Sequence, residues 1–198
     1  MDTGIFKYAV EGSIQLGNED VVGDNVIERK YHGGVHKACY IYSADHYSYW
    51  KDLYPDLDFE NGMFGENITI EGLDEANIHL GDIYQVGSAK VEVSQPREPC
   101  YKLGIRFNTQ KILKQFINAP YPGVYLRVIE KGEVKAGDEM VQIKEGPAFA
   151  NLKDVYYLLY QSKKSDQDKI ETVLELTNLP PDLRRNLEKR LNLKKMTD

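Results

Sequence analysis

The chain has few cysteines and no long hydrophobic run. It carries two cysteines among 198 residues, Cys39 and Cys100, and they lie far apart in sequence. A disulfide framework is not expected from so few, and reduced thiols in a reducing compartment fit better. No apolar stretch approaches the roughly 20 residues of a membrane span, and the first residues, MDTGIFKYAVEG, lack the apolar core of a signal peptide. We therefore expect a cytoplasmic protein.

An excess of positive charge is also missing. The formal net charge is −6 at pH 7. General binding to nucleic acids or to membrane surfaces needs a basic face, so neither is expected. A local basic pocket is compatible with this composition.

Several motifs of nucleophilic catalysis and nucleotide binding are absent. The sequence has no G-x-S-x-G, no Walker loop, no G-x-G-x-x-G and no paired C-x-x-C. It has no flavin, iron–sulfur or NAD motif either. Any site must therefore be built from isolated thiols and cations.

The sequence does contain a series of short apolar alternations up to about Met140, separated by glycine or Asx residues. This pattern predicts an all-β barrel or sandwich. The expected strands include residues 5–10, 35–42, 83–86, 90–93 and 124–129.

Two helices are predicted to interrupt these strands. In SADHYSYWKDLYP, Ser43 can cap a helix that ends at Pro55. In NTQKILKQFINAP, Asn108 or Thr109 can cap a helix that stops before Pro120. The residues expected on the inward faces are Tyr47, Trp50, Leu53 and Tyr54 in the first helix and Ile112, Leu113, Phe116 and Ile117 in the second.

After about residue 150 the apolar residues recur at helical spacing in three stripes, which predict three helices, the last of them with Pro181 near its first position. The stripes are Leu152, Val155, Tyr156 and Leu159, then Ile170, Val173 and Leu174, then Leu183, Leu187 and Leu191. We predict a mainly β fold with α elements: a barrel domain at 1–148 and a three-helix tail at 149–198. We expect the tail to pack against the barrel or against a second subunit in a homodimer, because its stripes exceed what so short a unit buries alone.

The segment SQPREPC, residues 94–100, raises the question of a prepared site. Pro96 and Pro99 fix φ and remove backbone donors, so regular strand pairing is predicted to stop after residue 94. The segment should therefore be a rigid loop.

Cys100 ends this segment. Arg97 and Lys102 would favour its thiolate if their side chains converge on it, whereas a nearby Glu98 carboxylate would disfavour it. A buried, inert thiol is the alternative.

The stretch YHGGVHKACY offers a second set of candidates. Its two glycines let backbone N–H groups turn toward an anion, and His32 and Lys37 could add charge-assisted bonds to a phosphate. A turn leading into a strand is the simpler interpretation. A metal pair of His32 and His36 is weaker still, because no third ligand is evident nearby. Cys39, in the middle of an apolar strand, is expected in the core.

Two further polar residues stand beside or inside strands. Asn67, in FGENITIEGL, precedes a strand as a turn residue would. Arg127 lies within a strand and needs either solvent or an anionic partner, and exposure on an edge strand is the alternative.

Taken together and in this order, five segments resemble the MOSC domain, named for the C-terminal domain of molybdenum cofactor sulfurases. They cover most of residues 3–140: YHGGVHKA, GMFGENITIEGL, IHLGDIYQVG, VEVSQPREPCYKL and GVYLRVIEKGEVKAGD. HGG, FGEN and SQPRxPC are weak motifs individually, but their order and spacing make the match specific. The chain looks most similar to the stand-alone bacterial type with a helical tail, and the resemblance implies a MOSC-type β-barrel.

The resemblance also implies a cofactor. This is the molybdenum cofactor, a pterin dithiolene with a phosphate, and at the family level pyridoxal phosphate binding is associated as well. Cys100 matches the family's cysteine, which is thought to ligate molybdenum or to carry activated sulfur. A soft thiolate suits such a centre, and the anionic phosphate calls for cations. The residues that match pocket positions are His32, Lys37, Asn67, Arg97 and Arg127.

Three functions are compatible with this resemblance. The first is a molybdenum-dependent reductase of N-hydroxylated compounds, such as hydroxylaminopurine-type bases and amidoximes, with Cys100 as catalytic residue and metal ligand. Because no redox motif is present, electrons would come from a separate reductase. The second is a persulfide sulfur carrier for metal–sulfur cluster or cofactor assembly through Cys100. The third is a non-catalytic cofactor-binding protein.

Two departures from the family pattern matter. Relatives usually carry a further strand before the segment that matches TGIFK, so we expect the barrel to open at one edge or the sequence to be short at its start. Cys39 stands where relatives usually have an aliphatic residue, which supports its place in the core.

Overall fold

The computed structural model of the chain describes residues 3–24 and 33–195, without the side chains of residues 194 and 195. It contains eight strands and six α-helices in these ranges. The strands are β1 Ser13–Leu16, β2 Cys39–Ser43, β3 Ile68–Ile70, β4 Ile83–Val86, β5 Ala89–Pro96, β6 Val124–Glu130, β7 Gly132–Lys135 and β8 Met140–Lys144. The helices are α1 Tyr47–Leu53, α2 Tyr101–Arg106, α3 Lys111–Asn118, α4 Leu152–Tyr160, α5 Gln167–Leu174 and α6 Pro181–Lys195.

Six strands form one curled sheet, a half-barrel with the order β3-β2-β6-β5-β4-β8. β2 and β3 pair in parallel, and the other neighbours are antiparallel. β1 and β7 form a separate antiparallel ribbon. The predicted mainly β fold with interrupting helices and a helical tail is therefore confirmed.

β2 is buried along its whole length because both faces of the strand are covered. Cys39 and Ile41 belong to an aliphatic core inside the half-barrel. Tyr40 and Tyr42, on the opposite face, belong to an aromatic cluster built with α1, α2 and α3. A strand buried on both faces shows little alternation of apolar and polar residues, as its sequence indicated.

The first predicted helix is present with altered ends. A 3-10 turn at Ala44–His46 precedes α1, and the hydroxyl of Ser43 donates to the carboxylate of Asp45 at 3.4 Å without capping the helix. Tyr47 and Trp50 are buried as predicted, but Leu53 is 42% exposed. Because α1 is two turns long, its last apolar residue extends past the cluster it covers.

The second predicted helix, α3, buries Ile112 and Phe116 and ends before Pro120 as expected. Its cap is Gln110 rather than Asn108 or Thr109, and no side chain accepts a hydrogen bond from an N3 amide there. Thr109 Oγ1 accepts a 3.4 Å bond from the amide of Lys111 instead.

The three predicted C-terminal helices are α4, α5 and α6, and α6 begins at Pro181. The side chains of Leu152, Ile170 and Leu187 are fully buried, and they share one continuous aliphatic cluster with the strands of the half-barrel. The tail therefore packs against the barrel. The domain boundary at residue 148 and the homodimer stay predictions. In the part of the chain that the structure describes, no helix has the length and apolar character to cross a membrane.

The predicted strand at residues 5–10 is wrong. This segment forms no ladder, and Tyr8 and Val10 are 67% and 64% exposed. Its backbone lies against the loop before β3: a Cβ at Gly62, where φ is +91°, would sit 2.7 Å from the carbonyl oxygen of Lys7. The alternation thus reflects packing of one face on a loop, and pairing begins later, at Ser13.

Two other strand boundaries differ from prediction. The segment at 35–42 begins with a 3-10 turn, Val35–Lys37, before β2. β5 continues to Pro96, which pairs with Val124, so the expected end of pairing after residue 94 is wrong. The register shifts between Val93 and Gln95, and such irregular positions are where a sheet tolerates proline.

Candidate functional site

Cys100 lies in a pocket formed where the end of β5, the start of β2 and the N-terminal segment meet. It is the N-cap residue of α2, and its side chain is partly buried. The same pocket is lined by Lys37, Asn67 and Arg97. The structure therefore brings together four of the six site residues that the sequence predicts.

Arg97 places a buried positive charge in this pocket. It is 4% exposed, and its guanidinium carbon lies 4.8 Å from the ring centre of Tyr40 and 5.6 Å from that of Phe116. Among the described residues, no carboxylate forms an ion pair with it, and its Nη1 is buried without a hydrogen-bond partner. A buried charge in this state is costly unless an anion compensates it.

The phenols beside Arg97 do not supply that negative charge. Burial raises the pKa of Tyr40 well above its usual value, and it raises the pKa of Tyr125 as well, although Arg97 acts in the opposite direction on both. Both hydroxyls therefore stay protonated at neutral pH, and that of Tyr40 donates to the carbonyl of Pro122 at 2.9 Å. The pocket presents a cation framed by neutral rings.

Three lysines add to the positive lining. Lys7 Nζ is 2.6 Å from Oδ2 of Asp24, and Lys37 Nζ is 3.2 Å from Oδ2 of Asp182. Lys102 is 7% exposed. Among the described lining residues Asp24 is the one carboxylate, so cations predominate locally although the chain is acidic overall.

Asn67 ties two walls of the pocket together. Its Oδ1 accepts the amide of Tyr40 at 3.0 Å, and its Nδ2 donates to Asp24 Oδ2 at 2.8 Å. The amide group therefore already has protein partners at both ends, and its predicted contact with a pterin stays a prediction.

Glu66, the residue before Asn67, has a structural role. It is 3% exposed and accepts from the amides of Gly62 and Phe64, both at 2.9 Å, and from the hydroxyl of Thr69 at 3.0 Å. The hydroxyl of Tyr47 donates to it as well. These bonds fix the FGEN loop, which forms one side of the pocket.

Arg127 lies outside this pocket, in a neighbouring cavity that it shares with His36. Its Nη2 donates to Oε2 of Glu92, 2.6 Å away on β5, so it has the anionic partner that a charged strand residue needs. Burial and the nearby Arg127 lower the pKa of His36. Arg127 follows Tyr125 by two residues and therefore points to the same face of β6. Its role toward a cofactor stays a prediction.

The remaining candidates are His32, Cys39 and a metal site made of protein ligands. His32 lies outside the described residues. Cys39 is 0% exposed, and burial raises its pKa to about 12, which confirms it as a core thiol. Within residues 3–24 and 33–195, no group of three His, Cys, Asp or Glu side chains could hold a metal ion. A metal here would depend on Cys100 and on sulfur that a cofactor brings.

Four lining residues with charged or aromatic side chains were not predicted: Lys7, Asp24, Tyr40 and Tyr125. The alternation of β6 could have indicated Tyr125, because it shares a face with Arg127. No local pattern marks Lys7 or Asp24, because irregular segments bring them to β2.

A family model described as "MOSC domain" matches residues 28–141. The chain belongs to the MOSC domain family. This MOSC chain is 32% identical to "Protein YiiM" of Escherichia coli (strain K12) over 190 residues, which cover 95% of this chain and 84% of that protein. The crystal structure of YiiM from Geobacillus stearothermophilus superposes with a TM-score of 0.83 at 30% identity, covering 96% of this chain and 90% of that one.

This MOSC chain matches only part of the length of two other relatives. "Uncharacterized protein YflK" of Bacillus subtilis (strain 168) is 36% identical over 146 residues, which are 74% of this chain and 66% of that protein. A protein of Gibberella moniliformis (strain M3125 / FGSC 7600) named "Reductase" is 34% identical over 140 residues. That match covers 69% of this chain and 25% of that protein.

MOSC domains are associated at the family level with the molybdenum cofactor. The pocket's residues fit such a group. The unpartnered Nη1 of Arg97 calls for an anion, the surrounding lysines suit a phosphate, and a cysteine thiolate is a soft ligand for a sulfur-bound metal.

Proposed function

We propose that this chain is an oxidoreductase that binds the molybdenum cofactor in the Cys100 pocket and reduces N-hydroxylated compounds, such as hydroxylaminopurine-type bases and amidoximes. The main support is the partly buried Cys100 thiol in one pocket with an Arg97 guanidinium whose Nη1 has no described partner. Membership of the MOSC family and a relative named "Reductase" support the broader oxidoreductase role.

The residues of the pocket take different parts in this proposal. Cys100 would hold the metal as a thiolate ligand, and Arg97 and Lys37 would hold the negative charge of the cofactor. The cofactor would supply two-electron chemistry that removes oxygen from the N–OH group. Overall, R–NH–OH, two electrons and two protons give R–NH₂ and water. The electrons come from a separate reductase, because the sequence has no flavin, iron–sulfur or NAD motif.

The first test is the molybdenum and pterin content of protein purified from a host that makes the cofactor. We expect near-stoichiometric metal and pterin in the wild type and loss of molybdenum in Cys100→Ser. Cys39→Ala is the matched control: it removes the core thiol and should retain the metal in whatever fraction remains folded. Loaded protein supplied with a reducing partner should then convert hydroxylaminopurine or an amidoxime. Absence of metal and pterin from the wild type would refute the proposal.

A persulfide carrier is the second candidate, and the partly exposed Cys100 thiol in a pocket lined by cations supports it. Cys100 is partly exposed, whereas Cys39 is sealed in the core. In this role the Cys100 thiolate attacks the outer sulfur of a desulfurase persulfide, a new S–S bond forms, and the desulfurase thiolate leaves. Mass spectrometry after incubation with a desulfurase should show one added sulfur on Cys100.

Bound molybdenum without turnover of any N-hydroxylated substrate would instead indicate the non-catalytic cofactor-binding role.

A further inference from the structure

One face of α6 contacts both sides of the Cys100 pocket. Asp182 and Asn186 are four residues apart and therefore lie on the same face of the helix. Asp182 Oδ2 is 3.2 Å from Nζ of Lys37, in the turn before β2. Asn186 Nδ2 donates to both oxygens of Glu98, at 2.9 and 3.0 Å, in the segment after β5. Lys37 lines the pocket from the turn before β2, and Cys100 lines it from residues 97–100 after β5, here called the Cys100 segment.

Glu98 receives a further bond from the tail. The hydroxyl of Tyr160, at the end of α4, donates to its Oε2 at 3.0 Å. Both carboxylate oxygens are therefore engaged by the C-terminal helices. The prolines at 96 and 99 have no amide hydrogen to donate, so the backbone of this segment can form few hydrogen bonds of its own. The Glu98 side chain is consequently its main polar anchor to the tail.

We propose that Asn186 and Tyr160 are positioning residues that act through Glu98. They fix the Cys100 segment, while Asp182 fixes Lys37, so that α6 sets the separation of the thiol and the ammonium across the pocket. This inference rests on the proposed function in one respect, namely that the thiol and the ammonium bind one ligand. Its test observes the backbone of the unloaded, full-length protein and can therefore fail independently of any cofactor measurement.

The experiment is hydrogen exchange, read by mass spectrometry, of peptides that cover residues 97–103. Asn186→Asp places two carboxylates face to face, and we expect exchange of this segment to rise about tenfold, which corresponds to about 1.4 kcal/mol of local opening. Combining it with Glu98→Gln exchanges the amide and the carboxylate between the two positions and restores the bond. The double variant should return to within about threefold of the wild type, a coupling that independent sites would not show.

Two matched controls separate positioning from general loosening. Asn192→Asp makes the same change at an exposed position of α6 and should leave the segment unchanged. Tyr160→Phe keeps the ring and should raise exchange about threefold, the effect of losing one modest hydrogen bond. Tyr157→Phe on the same helix removes a comparable 3.1 Å bond to Asp166 and should not raise it. The proposal is wrong if the swap fails to restore protection, or if exchange of 97–103 rises only in step with the amides of α6.

Discussion

Arg97 shows at the scale of one residue how this pocket differs from the packed core. Its guanidinium stays charged at any pH at which the protein is folded, yet its Nη1 has no partner among the described residues. Leaving a buried polar group unsatisfied costs about 1–3 kcal/mol. An anion bound beside Arg97 would give Nη1 a partner and remove this cost.

We accordingly predict that Arg97→Met, a change of similar length without charge, leaves the unloaded protein equally stable or more stable by about 1 kcal/mol, because it removes an unsatisfied buried donor. The same variant should lose most of its pterin. Urea unfolding of the unloaded protein and pterin fluorescence of the loaded protein measure the two effects.

Arg106→Met provides the comparison for this prediction. Arg106 also has a buried Nε without a described partner and lies 5.0 Å from an aromatic ring, that of Phe6, but it does not line the Cys100 pocket. Its substitution should leave pterin content unchanged. A large loss of stability in Arg97→Met with unaltered pterin would show that the charge serves the fold instead.

Sequence reasoning identified the residues that carry local signals. Cys100 and Arg97 stand in a proline-bracketed segment, Lys37 follows a glycine pair, and all three reach the same pocket. Asp24 and Tyr40 were missed because one lies in an irregular turn and the other resembles any buried strand aromatic. Their contribution depends on how distant segments meet, which no short pattern encodes.

Single elements show the same division between local and long-range information. The end of α3 and the start of α6 were predicted closely, because prolines and apolar spacing act within a few residues. The extension of β5 to Pro96 was not predicted, because it depends on a register shift against β6. The pattern of a single segment does not predict its pairing with a strand far away in sequence.

A titratable carboxylate, that of Asp166, lies directly before α5. Asp166 accepts the amide of Lys163 at 2.7 Å and the hydroxyl of Tyr157 at 3.1 Å. The backbone bond, aided by the tyrosine and by Lys169, holds the pKa of this carboxyl below its usual value, although burial acts in the opposite direction. A carboxyl whose pKa is lower in the folded state stabilises the protein above its unfolded pKa, about 3.9, and loses that contribution as the pH falls through the folded value.

We therefore predict that the difference in unfolding free energy between wild type and Asp166→Asn is constant above about pH 4.5 and shrinks toward lower pH. Urea unfolding at several pH values from about 5 down to 2.5 measures it. Thr172→Ala, which removes no carboxyl from the same helix, is the control and should show no such trend. A difference that stays constant down to pH 2.5 would contradict the assignment.

At the scale of the whole molecule, the half-barrel and the tail share one aliphatic core. Leu158 and Leu187 from the tail and Val91 and Leu126 from the sheet all belong to one cluster of buried side chains. The periodicity of the tail predicted its helices, but the surface they cover became known only from the structure. The order of the six strands and the separate β1–β7 ribbon likewise had no signal in single segments.

We predict that a chain ending at Ala150 does not fold into a stable, soluble barrel. It would expose the sheet surface that α4, α5 and α6 cover, and each fully buried apolar side chain contributes about 1.5–3 kcal/mol. The seven buried residues Leu152, Val155, Leu159, Ile170, Val173, Leu183 and Leu187 together reach the net stability of a whole domain, about 5–15 kcal/mol.

Size-exclusion chromatography and thermal unfolding of this truncated chain would test the prediction. A chain ending at Lys195 retains all described helices and should behave like the full chain in both measurements. A soluble truncated chain with an unchanged melting temperature would show that the barrel is an independent unit.

The position of α6 along the chain has a consequence for biosynthesis. This helix follows every described element that lines the pocket, and it contacts both the Lys37 turn and the Cys100 segment. A domain generally folds as a unit once the ribosome has released it. With the positioning role proposed for α6, we expect the two sides of the pocket to reach their final spacing only after translation has passed residue 186, and ligand binding to follow synthesis of the chain.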